Sequence, residues 1–358
     1  MTRPVVATID TRAFIANYLR AKALAPGARA LAVVKANAYG HGAVALARAL
    51  GERADGYGVA CIEEAIELRE AGVRRPVVLL EGVFAAAELT AAAAHELTVA
   101  VHSLVQLEWL ERAQLARPLQ VWLKIDTGMH RLGFNPDRVA HLYTRLRESD
   151  NVDDIVLMTH FSRADETEDA TTARQLAEFV ASTAGIDAPL SLANSAGLMA
   201  WPETHRDWVR PGIMLYGSSP LSDDDSRSTE LIPVMRLESQ LIAIRELAPG
   251  EAIGYGGRFV CDRPTRVGTV AIGYADGYPR HAPDGTPVLV NGRRSRLIGR
   301  VSMDMITVDL NDQPNATIGD PVQLWGDQIS ANEVARHCGT IAYELFTRIT
   351  RRVHLEYV

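Results

Sequence analysis

Leu31-Ala-Val-Val-Lys35-Ala-Asn-Ala-Tyr39-Gly-His-Gly42 sets the pattern for the first two-thirds of the chain. A short, nearly continuous apolar run breaks off at a charged residue and continues into small, polar and glycine-containing sequence. A run that is apolar at every position, instead of every second one, fits a strand buried on both faces, as in a parallel sheet. After Leu31–Lys35, seven more such runs follow: Tyr57–Ala60, Val77–Leu80, Thr98–Val101, Val121–Ile125, Ile155–Thr159, Leu190–Ala193 and Ile213–Tyr216. Helical patterns lie between them. Ile62, Ala65, Ile66 and Leu68 fall on one face of Ile62–Ala71, which stops at Gly72. Ala85–His95 is rich in alanine, the best helix former, and Thr171–Ala184 is amphipathic. Eight alternating strand–helix units fit either a doubly wound open sheet or a closed (β/α)8 barrel, and the count of eight favours the barrel.

The texture changes after residue 230. Leu237–Leu247, Val267–Ile272, Val288–Val290, Arg296–Ile298, Met305–Leu310 and Val322–Trp325 read as strands with few helical patterns between them. Asn291-Gly292 is a type I′ hairpin signal. Ser330-Ala-Asn-Glu333 is a capping box opening a helix that ends near Gly339. The expected organisation is a TIM-type (β/α)8 barrel over residues 1–230 followed by a mainly antiparallel β domain over 231–358. The Ser/Asp-rich stretch Leu221–Thr229 is a flexible crossing between them. Val5–Ile9, ahead of a helix capped at Asp10 or Thr11, is a strand available to the second domain.

Composition narrows the function classes. With 358 residues, 47% hydrophobic and 23% charged, the chain supports a sizeable core. A net charge of −7 disfavours nucleic acid and anionic membrane as partners. No run approaches the roughly 20 apolar residues of a membrane span, and Met1–Asp10 turns polar before a signal peptide could form. Cys61, Cys261 and Cys338 have no metal-ligand spacing and read as small thiols in a reducing cytoplasm.

Barrel enzymes build their sites at the C-terminal ends of the strands, so polar residues directly after the apolar runs are the place to look. Lys35 ends the first run; partly desolvated, its amine is available to attack a carbonyl, although a lysine snorkelling out of a strand end reads the same way. The fifth run ends in Lys124-Ile-Asp126 with Arg131 close behind, His160 follows the sixth and Asn194-Ser195 the seventh, and Arg210-Pro-Gly212 leads into the eighth. Loops near the seventh and eighth strands commonly hold phosphate in such barrels, and Ser195 and Gly212 suit that role. Each residue alone has a bland structural reading. A reactive lysine facing a phosphate-compatible loop suggests an aldehyde cofactor carrying a phosphate, namely pyridoxal 5'-phosphate. In the second domain, glycines around Tyr255 and Tyr274 suggest tight turns that put a phenol at a surface edge, although aromatic hairpin packing is the commoner fate of such tyrosines.

These motifs, with Gly-Tyr255-Gly, Gly-Tyr274-Ala-Asp-Gly-Tyr and Ser-Met303-Asp304, run across nearly the whole chain in the order of the bacterial alanine racemase family, which the sequence closely resembles. The resemblance implies a barrel, a C-terminal β domain and a head-to-tail homodimer with shared active sites, acting on alanine. It makes Lys35 the Schiff-base lysine and one catalytic base, and Tyr255 of a partner subunit the base on the opposite face. Tyr39, Asn194, Ser195, Gly212, Ile213 and Tyr343 correspond to cofactor-holding positions, Arg210 to the partner of the pyridine nitrogen, and His160 to a residue beside the ring. Arg131 and the Met303 amide correspond to groups on the substrate carboxylate, Tyr274 to a residue on the substrate's path, and Lys124 to a position carbamylated in many relatives. The ending Arg351-Arg-Val-His-Leu-Glu-Tyr-Val departs from the more basic, proline-containing tail of the family.

Two bases on opposite faces suit racemisation, because a Cα proton leaves one face and returns to the other. A tyrosine serves only where positive charge favours phenolate, and a cationic His160–Arg210 network would supply it. Arginine keeps its proton, so the pyridine beside it stays unprotonated, which disfavours transamination. A decarboxylase of the same architecture is the alternative enzyme class, disfavoured by the Tyr255 and Tyr274 motifs. A barrel-only cofactor carrier is disfavoured by the second domain, and serine or broader specificity stays open. Supply of D-alanine for the cell wall and its breakdown are equally compatible with the sequence.

Overall fold

A computed structural model describes residues 3–222 and 225–358; Met1 and Thr2, at the start of the expected leaderless N-terminus, and Asp223 and Asp224, within the expected crossing, lie outside the described residues. Eight parallel strands close into a barrel: β2 (Arg29–Val33), β3 (Gly56–Val59), β4 (Val77–Leu79), β5 (Thr98–Val101), β6 (Leu119–Lys124), β7 (Val152–Met158), β8 (Leu190–Ser191) and β9 (Trp208–Val209). The sheet is therefore the barrel and not the open alternative, with β2 pairing β9 to close the ring. Inside it, Leu31, Val78, Ala100, Trp122, Val156, Met158 and Trp208 form one buried cluster, and the indoles of Trp122 and Trp208 stand 5.7 Å apart. The helices cover the outside, which explains why the strand sequences are apolar on both faces.

One expected strand is in the wrong place. Ile213–Tyr216 is a 3-10 helix, and the eighth strand is the two-residue β9 just upstream. Buried helical turns and buried strands share continuous apolar character, so a four-residue run cannot separate them. The loop between β9 and that helix, Arg210-Pro-Gly212, consequently sits at the C-terminal end of the last strand.

The remaining strands build a largely antiparallel sheet: β1 (Val6–Ile9), β10 (Met235–Leu247), β13 (Thr265–Val270), β14 (Pro287–Val290), β15 (Arg293–Arg296), β16 (Ile306–Asp309), β17 (Pro321–Trp325) and β18 (His354–Tyr357). The short β11 (Ala252–Ile253) and β12 (Phe259–Val260) form a separate hairpin next to Tyr255. β1 lies between β10 and β18, so the two ends of the chain are neighbours in one sheet, and Asp10 caps the helix Thr11–Leu24 that follows. The Asn291-Gly292 turn joins β14 to β15 with positive φ at both residues, as type I′ requires. At Ser330 only half of the capping box forms: its hydroxyl accepts from the Glu333 amide, while the Glu333 carboxylate pairs with Arg294. Ser226–Glu230 is a 3-10 turn, so part of the expected crossing is ordered. Among the described residues no helix is long and apolar enough to cross a membrane. All three cysteines are free, Cys261 and Cys338 buried and Cys61 partly so.

Candidate active site

The first barrel strand ends at Val33, and Lys35 opens an unusual piece of backbone. Ala36, Asn37 and Ala38 have φ of 52° and Tyr39 of 50°, a left-handed helical turn made of residues that all carry a Cβ. Such geometry costs about 1–2 kcal/mol per residue, so neighbours must hold it. Ala38 N–H donates to the Val34 carbonyl (2.7 Å), Gly42 N–H to the Asn37 carbonyl (3.0 Å) and Ala43 N–H to the Asn37 side chain (2.9 Å). His41 is fully buried, and its Nδ1 lies 3.1 Å from the Ala38 carbonyl and 2.9 Å from that of Tyr39, which places the ring proton on Nδ1. Burial pushes this histidine down to about 4, so it is neutral. The reversed turn sends Lys35 and Tyr39 to the same side.

That side is a cavity of about 750 Å³ at the C-terminal end of the barrel, where such folds carry their sites. Lys35, Tyr39, Lys124, Arg131, His160, Asn194, Ser195, Arg210, Gly212, Ile213 and Tyr343 all line it. Tyr255, Tyr274 and Met303 do not. They stand on turns of the antiparallel sheet, with Tyr255 72% and Met303 53% exposed. Tyr255–Gly257 and Tyr274–Asp276 are single 3-10 turns, as the surrounding glycines suggested.

One wall of the cavity is a close-fitting polar loop. Gly212 N–H donates to Ser195 Oγ at 2.8 Å. A Cβ at Gly212 would lie 2.8 Å from the Tyr39 hydroxyl, so only glycine leaves room there. Asn194 accepts from Gly197 N–H (2.9 Å), which commits its side chain to capping the helix Ser195–Ala200. Tyr39 packs at a tilt against Tyr216 (4.6 Å between ring centroids) and Tyr343 (5.7 Å), and burial raises both phenols, Tyr39 and Tyr343, well above the usual range.

A second group of lining residues is cationic. Arg210 is buried and donates to Ser191 Oγ (2.6 Å) and to the carbonyls of Thr159 (2.6 Å) and Leu192 (3.0 Å), with His160 Nδ1 3.4 Å away. Burial lowers Arg210 to about 10, below the value expected from sequence yet still cationic at neutral pH. Burial, then the charge of Arg210, hold His160 far below its ordinary value. The expected cationic His160–Arg210 network is therefore Arg210 alone, because a buried imidazole cannot share an arginine's charge. Lys124, at the end of β6, is pushed down to about 8, first by burial and then by Arg210 and Arg131. Arg131 follows a loop in which Asp126 accepts from the amides of Gly128, Met129 and His130 at 2.9–3.0 Å.

Sequence reading missed Glu81, whose carboxylate lies 3.9 Å from the Lys35 ammonium on the same rim. It follows the run Val77–Leu80 directly, so the rule that picked out Lys35 applied to it equally. Ile341, Glu344 and Thr347 also line the cavity, brought there by the helix Ala342–Thr347, which no strand-end rule could find.

Residues 9–220 match the family model for the alanine racemase N-terminal domain, and residues 234–357 match that for its C-terminal domain. An alanine racemase of Pseudomonas taetrolens is 56% identical over 99% of both chains, and a catabolic alanine racemase of Pseudomonas putida is 55% identical over the same share. A crystal structure of the biosynthetic alanine racemase from Pseudomonas aeruginosa superposes with a TM-score of 0.97 at 50% identity, covering all of both chains.

Proposed function

This chain belongs to the alanine racemase family and interconverts L-alanine and D-alanine; from that premise we propose a two-base mechanism in which Lys35 of one protomer and Tyr255 of another face opposite sides of the substrate's α-carbon. The observation that carries the proposal is the separation of the expected residues into two sets. Lys35 and the cofactor-type residues share one cavity, while Tyr255, Tyr274 and Met303 project from the antiparallel sheet outside it. A phenol this exposed, on a turn of glycines, fits the cavity of a second copy of the chain. In this reading the chain divides into a barrel, residues 1–230, and a β domain, residues 231–358, and the active unit is a homodimer. The free thiols suit a reducing cytoplasm.

The cavity fits pyridoxal 5'-phosphate. The Gly212 cradle, Ser195, Tyr39, Ile213 and Tyr343 would hold the phosphate, and Arg210 would face the ring nitrogen. When bound, the cofactor supplies an electron sink that makes the α-proton of an amino acid removable. Lys35 then holds or returns that proton on one side, with Glu81 as its charge partner when the amine is free. Arg210 brings a positive charge fixed by three buried acceptors, which favours phenolate on a tyrosine placed opposite. Arg131 and the Met303 amide orient the carboxylate of alanine, and Tyr274 borders its path. Lys124, at about 8, keeps part of its amine neutral at physiological pH, the form that takes up carbon dioxide to give a carbamate beside Arg131.

Optical rotation of L-alanine with the enzyme and pyridoxal 5'-phosphate tests this reading, with total alanine assayed alongside. Rotation should decay to zero while alanine is conserved. Consumption of alanine would mean decarboxylation or transamination and would overturn the roles of Tyr255 and Arg210.

A further inference from the structure

Four charged groups outside the cavity join the two ends of the chain to the loops that carry Tyr274 and Met303. Asp276 is completely buried. Its carboxylate accepts from Arg3 (2.7 Å) and from its own loop at Gly273 N–H (2.9 Å), and Arg352 Nε lies 3.1 Å from its other oxygen. Arg352 also donates to the Asp304 carboxylate (2.6 Å), and Arg3 to the Asp304 backbone carbonyl (2.9 Å). Arg352 thus spans both carboxylates, Arg3 ties the Asp276 carboxylate to the Asp304 backbone, and two cations balance the one buried carboxylate.

The two loops are tied together by backbone hydrogen bonds. Tyr274 N–H donates to the Ser302 carbonyl (3.0 Å) and Ala275 N–H to that of Met303 (2.9 Å). The C-terminal segment lies directly on them. Thr350 N–H donates to the Asp276 carbonyl (3.2 Å) and its hydroxyl to that of Ala275 (2.9 Å). Gly277, at φ 109°, has no room for a Cβ against the Arg348 carbonyl. Tyr274 lies two residues from one clamped carboxylate, and Met303 is adjacent to the other. The same segment begins at the helix whose Tyr343 lines the chain's own cavity, so residues 343–352 run from that cavity to the loops offered to the partner.

We propose that Arg3 and Arg352 are positioning residues for substrate binding: by clamping Asp276 and Asp304 they set the placement of Tyr274 and Met303, and through them the affinity of the partner's cavity for alanine. The inference rests on the reading that these loops face a partner's cavity. The tail that departs from the family pattern therefore bears on the reaction through Arg352, and no substrate or cofactor contact by either arginine is involved.

The test compares Arg352→Met, Arg352→Lys and Asp304→Asn with wild-type holoenzyme, measuring KM and kcat for L-alanine, the cofactor's visible absorption and the unfolding midpoint. Arg352→Met should raise KM about tenfold, the equivalent of losing one charge-assisted contact, with kcat changed less than about twofold and the absorption band unaltered. Arg352→Lys keeps one of the two carboxylate contacts and should fall between. Asp304→Asn, which removes one charge and leaves the buried Asp276 paired, should raise KM in the same direction even if Arg352→Met fails to fold. An unchanged KM in the folded variants would overturn the proposal, as would loss of kcat and cofactor absorption in step with KM. Tyr274→Ala separates the two layers of the argument. If it raises KM and the arginine variants do not, the clamp is irrelevant; if it leaves KM unchanged, the assignment of the loops fails and the clamp proposal falls with it.

Discussion

His41→Phe should change how stability depends on pH, by an amount the structure sets. The ring is buried between Tyr216 and Phe346, at 4.7 and 4.9 Å, and burial holds it down to about 4 despite the two backbone carbonyls that favour its charged form. An unfolded histidine titrates near 6.5, so between those values the unfolded chain binds a proton that the folded chain refuses. The stabilisation from this site is complete above pH of about 6.5 and is lost as the pH falls towards 4. The loss amounts to about 3 kcal/mol in full, of which about 2 kcal/mol has gone by pH 5. Phenylalanine cannot titrate, but it leaves the Tyr39 carbonyl without its side-chain donor, which costs about 1–3 kcal/mol. Urea unfolding of holoenzyme at one protein concentration is the assay, since dimer stability depends on concentration. Wild type should exceed the variant at pH 7.5, and the difference should shrink by about 2 kcal/mol at pH 5. Carboxylates, His102 and His160 titrate in both proteins and cancel in the comparison. Parallel pH curves would refute the claim that His41 is held neutral to brace the left-handed turn.

Arg210→Met leaves Ser191, Thr159 and Leu192 acceptors without their donor and should cost about 3–5 kcal/mol of stability, read by the same unfolding assay; a loss below about 1 kcal/mol would contradict the network. Tyr255→Phe should abolish α-proton exchange with solvent in one direction of the reaction and spare cofactor binding; equal loss in both directions together with loss of the cofactor would count against opposite-face bases. Enzyme equilibrated with 13C-bicarbonate should give a carbamate resonance that disappears in Lys124→Arg, whose guanidinium does not form one.

Much of the barrel was legible because most of its strands carry a short, nearly continuous apolar run that ends abruptly beside chemistry-bearing residues. Lys35, Lys124, His160 and Ser195 were found that way, and the structure gathers them in one cavity. The eighth strand was misplaced because β9 is two residues long and the buried helical turn after it is the longer apolar run. The left-handed turn at Ala36–Tyr39 left no local signal, since alanine and tyrosine avoid that conformation; only Gly40 and Gly42 hinted at it. The charge state of His160 was misread for a related reason. Sequence shows an imidazole near an arginine, but burial decides which of them keeps a proton. Arg3 and Asp276 are 273 positions apart, and no periodicity links such residues.

Subunit complementation tests the central claim most directly. Lys35→Ala and Tyr255→Phe are each expected to be inactive as homodimers. Co-expressed, they form mixed dimers in which one of the two sites combines an intact Lys35 with an intact Tyr255 from the other chain. With random pairing, about a quarter of wild-type activity should return, from half of the dimers with one working site each. No recovery from mixed dimers isolated intact would place Tyr255 in the site of its own chain and contradict the account.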